Sequence, residues 1–178
     1  MRKIVFIVVI LIFAGVGYFG YQRYQKAEEV KKISSFEECG AAGFPVMDSY
    51  PGRCITSDGR SFTQEIGNEL EFNDLITVSN PRPNQKIISP VKITGQARGN
   101  WYFEATFPFE LFDANNKSLG KGFATANGEW MTEDFVPFTA ELSFERPKTK
   151  KGKLIITNSN PSGLPENDKK LEMPVVFE

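Results

Sequence analysis

From residue 75 onward, apolar and polar positions alternate with a period of two. "SPVKITGQA" puts Val91, Ile93, Gly95 and Ala97 on one face and Lys92, Thr94 and Gln96 on the other. "FTAELSFE" sets Phe138, Ala140, Leu142 and Phe144 against Thr139, Glu141, Ser143 and Glu145, and "LEMPVVF" keeps Leu171, Met173, Val175 and Phe177 in phase. Successive side chains of a strand point to opposite faces, so this is the pattern of strands with one buried face. "NWYFEATF" alternates Trp101, Phe103, Ala105 and Phe107 against Tyr102, Glu104 and Thr106, and "LITVS", "FELFD", "GFATA" and "KLIITNS" are further strand-like runs. Breakers separate them: "NPRPNQ", "ANNKSLG" and the "NG" at 127–128, a short hairpin signal. In "GEWMTEDFVPF" (128–138), Gly128 closes that hairpin, Trp130 starts the next strand from the core side, Thr132, Glu133 and Asp134 form a polar step, and Pro137 interrupts the ladder. No segment after 67 has a helical period. Seven or eight short strands in 75–178 predict a mainly β fold, an antiparallel β-sandwich of immunoglobulin-like size.

The beginning of the chain obeys another rule. After Arg2 and Lys3 comes an uncharged apolar run from Ile4 to Gly20, at the short end of what spans a bilayer. Tyr18, Phe19, Tyr21 and Tyr24 form an interfacial aromatic belt, with Arg23 and Lys26 beside it. The run reads as a membrane anchor, and "YQRYQKAEEVKKI" (21–33) as a helical stalk. The alternative is a cleaved secretory signal, which leaves a secreted protein. Lys and Arg flank the run on both sides, so charge alone does not orient it.

Between stalk and strands, 34–66 is too small to bury much core and is rich in Gly and Pro. It contains the only cysteines, Cys39 and Cys54. A disulfide between them is expected in an oxidising compartment and stabilises by about 3 kcal/mol in the loop-entropy model; two unrelated free thiols are the alternative. The pair favours an extracytoplasmic location for the residues beyond the anchor. Glu37 and Glu38 suit the first turn of a short helix opened at Ser34 or Ser35. "SDGR" (57–60) is a turn between "RCIT" and "SFTQ". The expected organisation is anchor and stalk over 1–33, cysteine module over 34–66, a polar joint over 67–74 and the β-sandwich over 75–178.

Composition removes several chemistries. The chain has no histidine, so Ser-His-Asp and Cys-His nucleophile systems and histidine metal sites are absent. Residues 34–178 carry 15 Lys and Arg against 20 Asp and Glu, a net of −5, which lacks the footprint of a nucleic-acid binder. The one basic cluster, "RPKTKKGK" (146–153), reads as a solvated hairpin tip, with a polyanion site as the alternative. Glu104, Glu133 and Asp134 are the carboxylates available for glycosidase-type acid/base work, an envelope glycan hydrolase. "DANNKS" (113–118) lacks the glycine and closing glutamate of a calcium loop and reads as a hairpin turn. The favoured alternative to catalysis is a binding face. Tyr102 stands outward there beside Glu104, near Glu133 and Asp134, with Asn100 and the tryptophans adjoining, and Trp101 and Trp130 belong to the core by phase. No catalytic residue, metal or cofactor is expected.

Two resemblances extend this reading. Cys39, Gly43-x-Pro45, Tyr50-Pro51, Cys54, Asp58-Gly59 and Phe62 are similar to a small two-cysteine module of exported bacterial proteins. Its "C-x-x-x-D-G-x-x-F" part is also similar to a fragment of Kazal-type inhibitors, which need more cysteines than are present; a protease inhibitor is thus a further alternative. Residues 75–178 resemble the immunoglobulin-like domain of bacterial spore germination proteins, through Pro83 with "ISP" (88–90), "ITGQARG", "NWYFEA", "GEWMTEDFVPF", "NPSG" (160–163) and the closing "MPVVF". This resemblance implies a non-enzymatic sandwich that mediates interactions or architecture outside the membrane. The expected partner is an envelope protein or a cell-wall polymer.

Overall fold

The computed structural model describes residues 2–178, and of residues 2–14 and 16 the backbone alone. The chain forms two compact units, Met1–Gln64 and Glu65–Glu178.

The first unit opens with helix α1, Arg2–Lys32. The apolar run from Ile4 to Gly20 falls largely on side chains outside the described set. Among the described residues no helix is long and apolar enough to cross a membrane. Helix α2, Phe36–Ala41, starts at Ser35, whose Oγ accepts from the Glu38 amide. The Glu38 carboxylate reaches back to the Ser34 amide and hydroxyl, a reciprocal arrangement close to a capping box. These Ser34 hydrogen bonds hold the Glu38 carboxyl below its ordinary value. Strands β1 (Val46–Met47), β2 (Arg53–Ile55) and β3 (Ser61–Thr63) form an antiparallel sheet with the 57–60 turn between β2 and β3. Cys39 and Cys54 are joined in a disulfide and buried with Ile33, against Phe36, Phe44 and Phe62.

Arg60 ties this module to the end of α1. Its guanidinium donates to the carbonyls of Val30 and Ile33, at 2.6 and 2.7 Å, and to the Asp58 carboxylate at 2.8 Å, while lying over the Phe62 ring. The last carbonyls of a helix have no partner within it, and a cation there also meets the negative end of the helix dipole.

In the second unit, α3 (Glu69–Phe72) precedes β4 (Ile76–Asn80), β5 (Lys86–Ile87), β6 (Val91–Arg98), β7 (Thr106–Asp113), β8 (Ser118–Ala126), β9 (Phe135–Leu142), β10 (Lys151–Thr157) and β11 (Lys170–Phe177). The α3 turn lies in the segment read as a joint; its buried Glu69 carboxylate accepts from both terminal nitrogens of the Arg82 guanidinium. The strand order among the described residues is β4-β6-β9-β8-β7-β10-β11-β5. All pairings are antiparallel except β11–β5, which is parallel. The purely antiparallel expectation is therefore corrected to a mixed sheet. After β4 the turn at 81–85 delivers the short β5 alongside the last strand instead of back along β4.

This sheet is not flat. Phe144, just past β9, and Phe177 of β11 have ring centroids 5.9 Å apart, although β9 and β11 lie four steps apart in the order. In a flat sheet four steps span about 19 Å. The sheet closes over a single core, in an arrangement that fits an immunoglobulin-like sandwich. Its centre holds Trp101, Phe107, Phe138, Ile76, Ile93, Leu111, Leu154, Ile156 and Met173. The faces of β6, β9 and β11 are those given by their alternation, with Val91, Ile93, Ala97, Phe138, Leu142, Leu171, Met173, Val175 and Phe177 inside.

Three local expectations are corrected. "NWYFEATF" is not a continuous strand. Gly99–Trp101 is a 3-10 turn, and β7 starts only at Thr106. Phe103 and Thr106 exchange both backbone hydrogen bonds across Glu104 and Ala105, whose φ values are 50° and 60°. Two successive positive φ values are the geometry of a tight primed hairpin turn. Second, the "NG" at 127–128 is not a two-residue hairpin: β8 and β9 pair only at Thr125↔Thr139 and Ala126↔Phe138, and 127–134 form a loop. Trp130 sits half-buried in that loop against the core and does not start a strand. Third, the basic cluster is no hairpin tip. Residues 143–150 cross between β9 and β10, which are not neighbours in the sheet.

Candidate functional site

Of the predicted contact residues, Tyr102 is withdrawn from the surface. Tyr102, expected to point outward, is buried, 4% exposed. The Glu104–Ala105 turn breaks the alternation, so Trp101 and Tyr102 both enter the core. The Tyr102 hydroxyl donates to the Val136 carbonyl at 2.7 Å, and its ring packs on Phe107. Burial pushes the phenol up to about 12, with the Ala97 backbone acting in the other direction. A phenol that ionises less readily folded than unfolded contributes stability that is complete below the unfolded value, here 10.0, and lost as the pH rises through about 12. In calorimetry across that window the melting midpoint of the β unit should fall more steeply for the wild type than for Tyr102→Phe. Parallel slopes would remove the phenol as the cause.

Glu104, Glu133 and Asp134 are exposed. The backbone of the 130–134 loop is held tightly. Arg98 donates to the carbonyls of Asp74 and Glu133, at 2.7 and 2.8 Å, and lies 4.5 Å over the Phe135 ring. Gly99 leaves room for the same loop: a Cβ there would stand 1.9 Å from the Thr132 oxygen and 2.3 Å from that of Trp130. Thr132 Oγ1 accepts from the Asp134 amide. Among the described residues, Glu133 and Asp134 line neither the depression beside Phe123 nor the one beside Arg146. Among the described residues no group of three or more cysteines and carboxylates is placed to hold a metal ion. The 113–118 segment is the β7–β8 turn, with Asp113 accepting from the amides of Asn115 and Lys117.

The strongest candidate is the solvent face of β8-β7-β10-β11. Register places three rows across it. Phe123 faces Pro108, with Thr157 and Lys170 continuing that row. Lys121 faces Glu110, and Ile155 and Glu172 extend the second. Phe112 faces Lys153, then Pro174. The outward side of a one-sided sheet is ordinarily polar; here Phe123 is 66% exposed, and Pro108, Phe112 and Ile155 stand beside it half-buried. They line a depression of about 660 Å³ with Lys121, Glu110 and Lys170 at its margin. Lys153 and Glu172 close an ion pair at 3.3 Å alongside. On the opposite side, glycines make the space: a Cβ at Gly122 would stand 2.9 Å from the Phe109 ring. The core aromatics of β7 therefore occupy the inner face of β8, and Phe123 is left outside.

Sequence reasoning missed this face. Its one local signal is "GKGFATA", where glycines at alternate positions mark the inner face of β8 and leave Phe123 on the other.

No curated protein and no solved structure is a significant match for the chain. A family model does match, over residues 75–163, half of the chain: that of the immunoglobulin-like domain of bacterial spore germination. Strands β4 to β10, the buried Trp101 and the loop at 127–134 lie within that match, and the chain belongs to this immunoglobulin-like family.

Proposed function

We propose that the chain is a membrane-anchored, extracytoplasmic binding module of a bacterial envelope, without enzymatic activity. The N-terminal run holds it to the membrane, and the outer face of β8-β7-β10-β11 takes a protein partner. One observation carries the reading: four apolar side chains from three strands, Pro108, Phe112, Phe123 and Ile155, line one concave surface of about 660 Å³. That volume is in the range of preformed binding sites. An exposed phenylalanine among half-buried apolar neighbours, rimmed by charge, has the anatomy of an interface centre with a polar rim. The disulfide supports the location, because such bonds persist in oxidising compartments. The family is one of binding or structural modules, which agrees with this role.

The test is retention of partner proteins from native membranes on the full chain and on Phe123→Ala, with Glu133→Ala as control. Phe123→Ala should retain its specific partner about tenfold more weakly or worse, as truncation of a central interface residue does, with the melting midpoint unchanged. Equal retention by both variants would remove this face as the binding surface.

A further inference from the structure

The connection 143–150 carries Arg146, Lys148 and Lys150, and β5 brings Lys86 beside β11. Together they line a depression of about 450 Å³ at one end of the β unit. Among the described residues, none of these four side chains enters a hydrogen bond or ion pair. Glu178 is the only acidic residue among its lining residues. This is a local excess of positive charge in a segment, 34–178, with a net of −5.

The connection that carries three of these cations is pinned at both ends. Thr149 Oγ1 donates to the Lys151 carbonyl and accepts from the Ala114 amide. The Lys150 carbonyl accepts from the Phe177 amide, and the Phe144 amide donates to Ser89 Oγ. A mobile loop lets like charges splay apart; a pinned one holds them together and favours a counter-anion between them.

We propose that this end of the β unit binds a phosphate-bearing polyanion, a flexible chain with closely spaced phosphates. Arg146 offers a planar fork to two phosphate oxygens, and the lysines act as point charges. The concavity favours a flexible chain over a membrane surface, because the cations stand on the walls of a depression that a flat lipid face does not enter. The acidic remainder of the segment repels polyanions and confines the site to this end. The proposal uses no residue of the β8-β7-β10-β11 face and stands apart from the reading given to that face.

The experiment measures binding of labelled inorganic polyphosphate to the full chain in non-ionic detergent, as a function of salt. With four cations engaged, affinity should fall about 50-fold between about 50 and 200 mM salt. In the double variant Lys148→Ala, Lys150→Ala the same change of salt should cost only about sevenfold. Phe123→Ala should bind polyphosphate like the wild type, and the thermal midpoints of all variants should agree. A second arm replaces polyphosphate by mixed micelles carrying phosphatidylglycerol. The proposal is overturned by absence of polyphosphate binding at the lower salt, by an unchanged salt dependence in the double variant, or by sensitivity to that variant on anionic micelles alone.

Discussion

Trp101→Ala should lower the stability of the β unit by about 3–5 kcal/mol, the range for removing a buried aromatic from a packed core. Trp101 is 1% exposed, and it is wedged into the turn between β6 and β7. Its ring meets Phe72 of α3 edge-on at 5.9 Å. Its carbonyl accepts from the Ser159 amide at 2.9 Å, so the residue joins α3, the β6–β7 turn and the loop after β10. Removing the ring leaves a cavity under three elements with different partners, and such a site collapses poorly. Trp101→Phe should be milder than its lost area implies. Among the described residues the indole Nε1 is buried without a protein hydrogen-bond partner, and an unpaired buried donor carries a desolvation cost that phenylalanine does not. Urea unfolding monitored by far-UV circular dichroism reads both variants. A loss below about 1 kcal/mol for Trp101→Ala would show that its neighbours close the space.

The paired replacement Cys39→Ser, Cys54→Ser should unfold the cysteine module selectively, while the β unit keeps its own transition. The disulfide spans a sequence separation of 15, which corresponds to about 3 kcal/mol in the loop-entropy model. The module has little else. Its buried cluster is Ile33 with the two cysteines, flanked by Phe36, Phe44 and Phe62, and its strands are two or three residues long. Loss of the cross-link should also release Arg60 from the carbonyls of Val30 and Ile33 and unfold the helix end and strand that keep the backbone at Lys31, Lys32 and Arg53 from trypsin. Limited proteolysis beside calorimetry separates the effects. Cleavage confined to residues 30–60 with an unshifted β-unit midpoint is the expected result; unchanged cleavage would mean that the module stands without its disulfide.

Much of the architecture is legible in the sequence because the information is local. In β6, β9 and β11 each residue's face comes from its parity, and the disulfide from a short, Gly-rich segment with two cysteines. The features that fail depend on backbone conformations or pairings that no local pattern announces. Glu104 and Ala105 adopt positive φ values that Asn and Gly ordinarily mark. Without that signal the alternation of "NWYFEATF" runs on, and Tyr102 falls on the wrong face. The basic cluster lies between two strand-like runs, which suggests a hairpin. That β9 and β10 pair with other strands is a property of the whole sheet. The outer apolar face is hidden for the same reason. A single exposed Phe123 is unremarkable in a sequence, and only the register of β8, β7 and β10 brings Pro108, Phe112 and Ile155 to its side.

The parallel pairing of β5 with β11 has a mechanical consequence. The segment entering the β unit is bonded to its last strand along much of that strand. Asn68 exchanges hydrogen bonds with Glu172 and donates to the Lys170 carbonyl, and the Asn84 amide donates to the Pro174 carbonyl. Gln85 accepts from Val176, and Ile87 from Glu178. Tension applied between Glu65 and Glu178 would therefore load these bonds side by side, in shear, instead of opening them one after another like a zip. A pull between these two points would be carried by the β unit as a whole before any strand detaches.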